Sequence, residues 1–260
     1  MRHDRALLTL AMIAGLSGAG AIALVFGLSG IFAHGHTSRG HVAVVALILS
    51  YPLTFITVFF NVAIAAAASA ALEGGRLSLG EALAVPMRRV GQVALWALIV
   101  AVVGVVLEQL ASRLPLFGSI VVRLVGVGWS LASLFAVPIL AVEGYSAPDS
   151  LRRSAHLVKE RWGEGISGNV IVSAWMVIVV VPLVIAFVVL LSATASDSGA
   201  QDVVIVLAVV AFIAIVAIGA VVRQTFAVAL YRYAKTNSAQ GPFHERDLGS
   251  PFSSKRRMFG

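Results

Sequence analysis

The sequence predicts an all-α fold, a polytopic transmembrane helical bundle, and three observations predict it. Of 260 residues, 59% are hydrophobic and only 12% charged, against about 25% charged in a soluble domain, so there is too little polar side chain to cover a water-facing surface. Six apolar stretches reach or exceed the roughly 20 helical residues that cross a hydrocarbon core about 30 Å thick. None of them alternates with the period of two expected of a membrane barrel strand. The same composition excludes a disordered chain. With no cysteine, disulfides, thiolate metal sites and cysteine nucleophiles are excluded as well.

The first stretch, Leu7–Ala33, follows a short basic start, Met1-Arg2-His3-Asp4-Arg5. At about 27 residues it exceeds the 7 to 15 of a signal-peptide core, so a retained helix is expected. The second, Val42–Leu72, contains Pro52 and leads into Glu73-Gly74-Gly75-Arg76-Leu77. Ser78 and Glu81 then carry the spacing of a capping box, which starts a short helix before the third stretch, Val90–Leu110. The fourth, Ser119–Val142, contains Pro138 and leads into Glu143-Gly144, after which Ser146 and Asp149 repeat the capping signal. Leu151, Ala155, Val158 and Trp162 then share one helical face, and Gly163 is placed to end the helix. Arg152, Arg153, Lys159 and Arg161 occupy the remainder, a pattern expected of a short interfacial helix that turns its bases to anionic lipid headgroups. The fifth stretch is Asn169–Ala193, with Pro182 inside it, and the sixth is Val203–Tyr231.

Glu73-Gly74 and Glu143-Gly144 introduce similar connections, and Gly241–Leu248 is a fainter third copy. The expected architecture is therefore six spans arranged as three helical hairpin repeats with short interfacial helices on one side. Residues 1–234 form the membrane domain and 235–260 a basic tail. Almost every base outside the spans falls on the side of the N-terminus, from Arg2 and Arg5 through Arg88 and Arg232 to Lys255, Arg256 and Arg257. Only Arg39 and Arg113 fall in loops of the other side. The positive-inside bias predicts a bacterial cytoplasmic (inner) membrane protein with both termini cytoplasmic.

Candidate chemistry is sparse. Gly15-Leu16-Ser17-Gly18 offers a serine, but no histidine lies in any of the six stretches to act as its base. His34, His36 and His41 share one short loop without the carboxylate or thiol that would complete a metal site. No phosphate-binding glycine loop, zinc helix motif or dinucleotide fingerprint occurs. The expectation is no enzyme, no catalytic or metal-binding residue, no cofactor and no nucleic-acid partner. What remains is a polar cluster near the cytoplasmic ends of the spans: Asn61, Glu73, Glu143, Asn169, Arg223 and Gln224. Arg223 is expected to pair with Glu143 or Glu73, or to line a cavity for an anionic headgroup or small solute. Arg123 is expected to meet Glu108 at the opposite end.

Phe60-Asn61-Val62-Ala63, Trp129-Ser130 with Phe135-Ala136-Val137-Pro138, Glu143-Gly144, Leu151-Arg152-Arg153-Ser154, Trp162-Gly163-Glu164 and Leu230-Tyr231-Arg232-Tyr233-Ala234 resemble a bacterial family of six-span membrane proteins, domain-of-unknown-function family 6159. The resemblance runs from about Phe60 to the tail and implies a helical inner-membrane protein with no activity to carry over. The chain is also distantly similar to the membrane domain attached to some glycerophosphodiester phosphodiesterases, which implies lipid or envelope biology by analogy alone. The expected function is a non-enzymatic membrane interaction or lipid-associated module; the alternative is a permease-like protein that uses the polar cluster.

Overall fold

Apolar stretches of this length have one way to satisfy their backbone without water, which is to coil into helices. The computed structural model describes residues 39–113, 118–162 and 198–236, with positions 9, 10, 12, 13 and 15, and its elements are helices without a strand among them. They are α1 (Arg39–Leu72), α2 (Leu79–Arg88), α3 (Val90–Arg113), α4 (Gly118–Ala132), α5 (Ala136–Val142), α6 (Ala147–Trp162) and α7 (Ser198–Thr236). Three helical stretches are long and apolar enough to cross a membrane: Ser50–Leu72, Val90–Ala111 and Leu124–Val142. They belong to the second, third and fourth predicted spans. The sixth falls within α7, a helix of 39 residues. The first span, most of it, and all of the fifth lie outside the described residues, as does the tail beyond residue 236.

The centre of the bundle is α1. From Val62 to Ser69 every residue is buried, and the run includes Ala63, Ala65, Ala66, Ala67 and Ala68. A helix buried on all sides belongs in an interior, and small side chains let its neighbours approach closely. Helices α2, α3, α5 and α7 all pack on it. Val93, Trp96 and Ala97 of α3, Ala136 and Leu140 of α5 and Val228 of α7 close one core around it. Trp96 stacks on Trp129 of α4 with ring centroids 6.0 Å apart and planes inclined by 21°. Leu10 enters a second cluster with Ala63, Ile64 and Ala67.

The fourth predicted span is not one uninterrupted helix. It stops after Ala132 and restarts at Ala136, because Pro138 has no N–H for the Leu134 carbonyl and its ring crowds that oxygen. In the restarted helix Pro138 occupies the first turn, where its missing N–H has no intrahelical use. Pro52, by contrast, lies within α1, which continues through it. The break is covered by α6. The buried N–H of Phe135 donates to Ser154 Oγ at 2.9 Å, and Ser150 and Ser154 are both fully buried.

That contact alters the predicted orientation of α6. Its buried line is Ala147, Ser150, Ser154 and Val158, with Leu151 and Ala155 half-buried beside it, so the helix turns a serine edge to the bundle. Both predicted caps form. The Ser78 N–H donates to Glu81 Oε2 at 2.7 Å while the Glu81 N–H donates to Ser78 Oγ at 3.3 Å. At α6 the Asp149 N–H likewise donates to Ser146 Oγ, but the Asp149 carboxylate accepts from the Ser146 hydroxyl, at 2.6 Å, instead of from its backbone.

Ser154→Ala strands a buried N–H and is expected to cost about 1–3 kcal/mol, whereas Ser133→Ala, which removes only a bond to the carbonyl of its own turn, stays within about 0.5 kcal/mol. Thermal unfolding of the two variants in one detergent separates them.

Candidate functional site

Three helix ends meet at one level of the bundle. Helix α1 stops at Leu72 and α5 at Val142, and each is followed by glutamate and then a glycine with positive φ: Glu73-Gly74 (φ 78°) and Glu143-Gly144 (φ 74°). Positive φ strains any residue with a Cβ, and glycine is the ordinary solution at a helix end. The last turn of α7 arrives beside both glutamates.

The two ends dispose of their carbonyls differently. After α1, the Gly74 N–H donates to the Ala71 carbonyl at 3.1 Å and the Gly75 N–H to the Ala70 carbonyl at 2.9 Å. This backbone pairing is a Schellman turn. After α5, the corresponding carbonyls of Leu140 and Ala141 accept from the Arg89 guanidinium, at 2.6 and 3.2 Å. A cation at a helix C-terminus also answers the negative end of the helix dipole. Gly144 makes room for it, since a Cβ there would lie 2.5 Å from Arg89 Cζ. From α3, Gln92 Oε1 accepts the Ala147 N–H at 2.9 Å and so caps α6.

The glutamates hold α7. Tyr231 and Lys235, four residues apart and on one face of α7, both donate to Glu143 Oε1. Arg232, rotated by one position, donates to Glu73 Oε1 and, at 2.8 Å, to Ser69 Oγ. Each ion pair joins a half-buried partner to an exposed one: the side chains are 12% exposed at Arg232 and 61% at Glu73, and 17% at Glu143 and 61% at Lys235. Arg153 lies over the Tyr145 ring, 3.7 Å from its centroid, and adds positive charge near Glu143. Burial alone would raise the Glu143 pKa, but hydrogen bonds from Lys235 and Tyr231 and the charges of Lys235 and Arg153 outweigh it and hold the carboxyl below its usual range.

The predicted cluster is thus divided. Glu73 and Glu143 belong to this clamp, and their bases are Arg232 and Lys235. The pairing expected of Arg223 does not form, because Arg223 lies about 13 to 18 Å along α7 from those two bases. It is exposed, Gln224 next to it is buried, and Asn61 is half-buried on α1. Asn169 lies outside the described residues, as do the side chains of Arg123 and Arg161. Arg152, Arg153 and Lys159 are exposed on α6, where Arg152 approaches Asp149 at 4.0 Å. Ser69, Arg89, Gln92, Tyr231, Arg232 and Lys235 escaped the sequence reading. The available signal was the spacing of Tyr231, Arg232 and Lys235 immediately past an apolar run, which aims one helix at two acids.

A family model matches residues 41–241, and it describes a family of unknown function, DUF6159. The match covers most of the chain, which belongs to that family, in agreement with the resemblance carried by Trp129–Asn169 and Leu230–Ala234. No curated protein and no solved structure matches the chain.

Gly74→Ala is expected to cost the strain of positive φ, about 1–2 kcal/mol. Gly144→Ala adds the loss of charged hydrogen bonds from a displaced Arg89, worth about 1.5–3 kcal/mol each, and that addition disappears on an Arg89→Met background. Thermal midpoints of the four variants test this. Because the Glu143 pKa is lowered in the folded protein, its contribution is complete above the unfolded glutamate value and is lost as pH falls through the lowered one. Glu81 shifts in the same direction through its bonds to the Ser78 backbone and side chain. The thermal midpoint should therefore drop on acidification below the usual glutamate range, and Glu143→Gln should remove part of that dependence.

Proposed function

We propose that this member of a family of unknown function is a non-enzymatic, lipid-associated membrane module that meets anionic headgroups with the end of the bundle where α2 and α6 lie. One observation carries the reading. Every carboxylate described at this end is committed to a protein partner: Glu73 to Arg232, Glu143 to Lys235 and Tyr231, Glu81 to Ser78, Asp149 to Ser146, and Glu160 to His156 at 3.0 Å. Arg88 and Lys159 are exposed and have no hydrogen bond or ion pair among the described residues. The positive charge left over on the surface is what an anionic leaflet attracts.

The one-sided distribution of bases in the sequence supports a bacterial inner membrane with this end in the cytoplasm. Absence of a nucleophile–base pair from the sequence supports a non-enzymatic role. The permease-like alternative keeps Arg223, which has no hydrogen bond or ion pair among the described residues, but not Glu73 and Glu143, which pair with Arg232 and Lys235.

Reconstitution into mixed phosphatidylcholine–phosphatidylglycerol vesicles, read with spin-labelled lipids, provides the test. The wild type should prefer phosphatidylglycerol, and the preference should weaken with salt. Each base near an anionic surface contributes about 1 kcal/mol, so the Arg88→Gln/Lys159→Gln variant should lose the preference by up to about thirtyfold. Equal preference in wild type and variant, or indifference to salt, would sink the reading.

A further inference from the structure

Helix α7 is far longer than a bilayer is thick. Its 39 residues span about 58 Å, nearly twice a hydrocarbon core of about 30 Å, so even when tilted it must leave the core. Composition alone does not say where, because α1 and α7 stay apolar almost to their ends. Register and burial do. Arg232 bonds to Ser69 and Glu73 while Val221 packs against the cluster of Ala63, Ile64 and Ala67, so α7 runs parallel to α1. Arg223 is thereby brought to about the level of Asn61 and Ala65. Helix α3 starts near the same level: Val93 and Trp96 share a core with Val58 and Val62, and the Tyr51 hydroxyl donates to the Ala94 carbonyl at 3.4 Å. Met87, Arg88 and Val90 therefore stand beside the middle of α1.

From this level away from the clamp, three helices each offer a run without a charged side chain: Val42–Phe60 on α1, Val90–Leu107 on α3 and Val203–Val222 on α7. Each run is about 27 to 30 Å long. Ile48, Val102, Val106, Val210 and Ile218 stand exposed along them. Toward the clamp the pattern inverts. Val62 to Ser69 and Ala227 to Tyr231 are buried in protein, while Glu73, Lys235 and Thr236 are exposed. Arg223 falls on the dividing line, exposed and without a hydrogen bond or ion pair among the described residues.

We propose that the exposed girdle is the surface that meets lipid chains, and that the bilayer phosphates on the clamp side lie at the level of Arg223 and Arg88. Both guanidiniums donate to those phosphates, for which their forks are suited. Met87 and Val90, exposed on either side of Arg88, enter the acyl boundary. The clamp, α5 and the last turns of α1 and α7 then form a helical head on the aqueous side, reaching about 18 Å beyond Arg223 at Lys235. A boundary at Leu72 and Tyr231, where the apolar sequence ends, would instead hold Arg223 about 12 Å inside hydrocarbon, a costly place for an unmatched cation. The placement rests on the lipid-associated reading only in taking the chain to lie in a bilayer.

The chain has no cysteine, so single cysteines can be introduced without background. Spin labels on Val210→Cys, Ile218→Cys, Arg223→Cys and Thr236→Cys variants of the full chain are read in phosphatidylcholine–phosphatidylglycerol vesicles. Relative exposure to oxygen and to a water-soluble nickel chelate reports depth. Val210 and Thr236 lie about 20 Å on either side of Arg223. Labels at 210 and 218 should be open to oxygen and shielded from nickel, and the label at 236 open to nickel. The label at 223 should mark the crossover. Arg88→Cys, on another helix, should read the same depth as Arg223→Cys and stays informative where the latter does not fold. A label at 223 as shielded from nickel as that at 218, with 236 at the phosphates, overturns the placement. A label at 218 as open to nickel as that at 236 does so too. The expected profile, found together with a phosphatidylglycerol preference indifferent to Arg88 and Lys159, supports the placement while the broader reading fails.

Discussion

A helix that ends at the rim of an apolar bundle leaves carbonyl oxygens pointing where water is scarce, and the arrangement of this protein follows from how those oxygens are satisfied. At α1 the backbone folds back on itself through Gly74 and Gly75. At α5 a guanidinium from the start of α3 does the same work from outside the helix. The second solution ties neighbouring elements together. Arg89 fixes α3 against α5, Gly144 must be bare to admit it, and Gln92 one turn later fixes the start of α6. With α6 in place, Ser154 reaches the backbone N–H exposed by the break at Pro138.

Much of this was legible in the sequence because it rests on local rules. Apolar length gave the helices, and Ser78 with Glu81 and Ser146 with Asp149 gave the starts of α2 and α6; the break before Pro138 fell inside a stretch read as one span, since Pro52 shows that a proline alone need not end a helix. What escaped was tertiary. Arg223 looked like the natural partner for Glu143 because it lies deeper in an apolar run, where an unpaired charge is most expensive. Register decides otherwise. Glu73 and Glu143 stand at helix ends, and the parallel run of α7 beside α1 brings Arg232 and Lys235 to that level. The apolar stripe of α6, Leu151, Ala155, Val158 and Trp162, predicts an interfacial helix, but periodicity cannot say which neighbour a helix has. In the folded chain two serines are buried as deeply as any valine.

The same accounting separates structural charge from surplus charge. Bases at the clamped end outnumber acids, but the useful distinction is which acids are already engaged. Capping uses Glu81 and Asp149, helix docking uses Glu73 and Glu143, and an i,i+4 contact uses Glu160. Net charge alone would not reveal that the exposed bases have so little internal competition for an anionic surface.

The clamp also imposes an order on assembly. Both glutamates precede their bases in the chain by a long interval: Glu143 is made 92 residues before Lys235, and Glu73 159 before Arg232. Until those bases are made the two acids lack these partners. Glu73 can wait in water, because even in the finished fold it is 61% exposed. Glu143 ends 17% exposed, so its charge depends more on the partners that the last turn of α7 supplies. The last turn of α7 thus brings the groups that hold the ends of α1 and α5, and a chain stopped before residue 231 lacks Tyr231, Arg232 and Lys235 and with them the clamp.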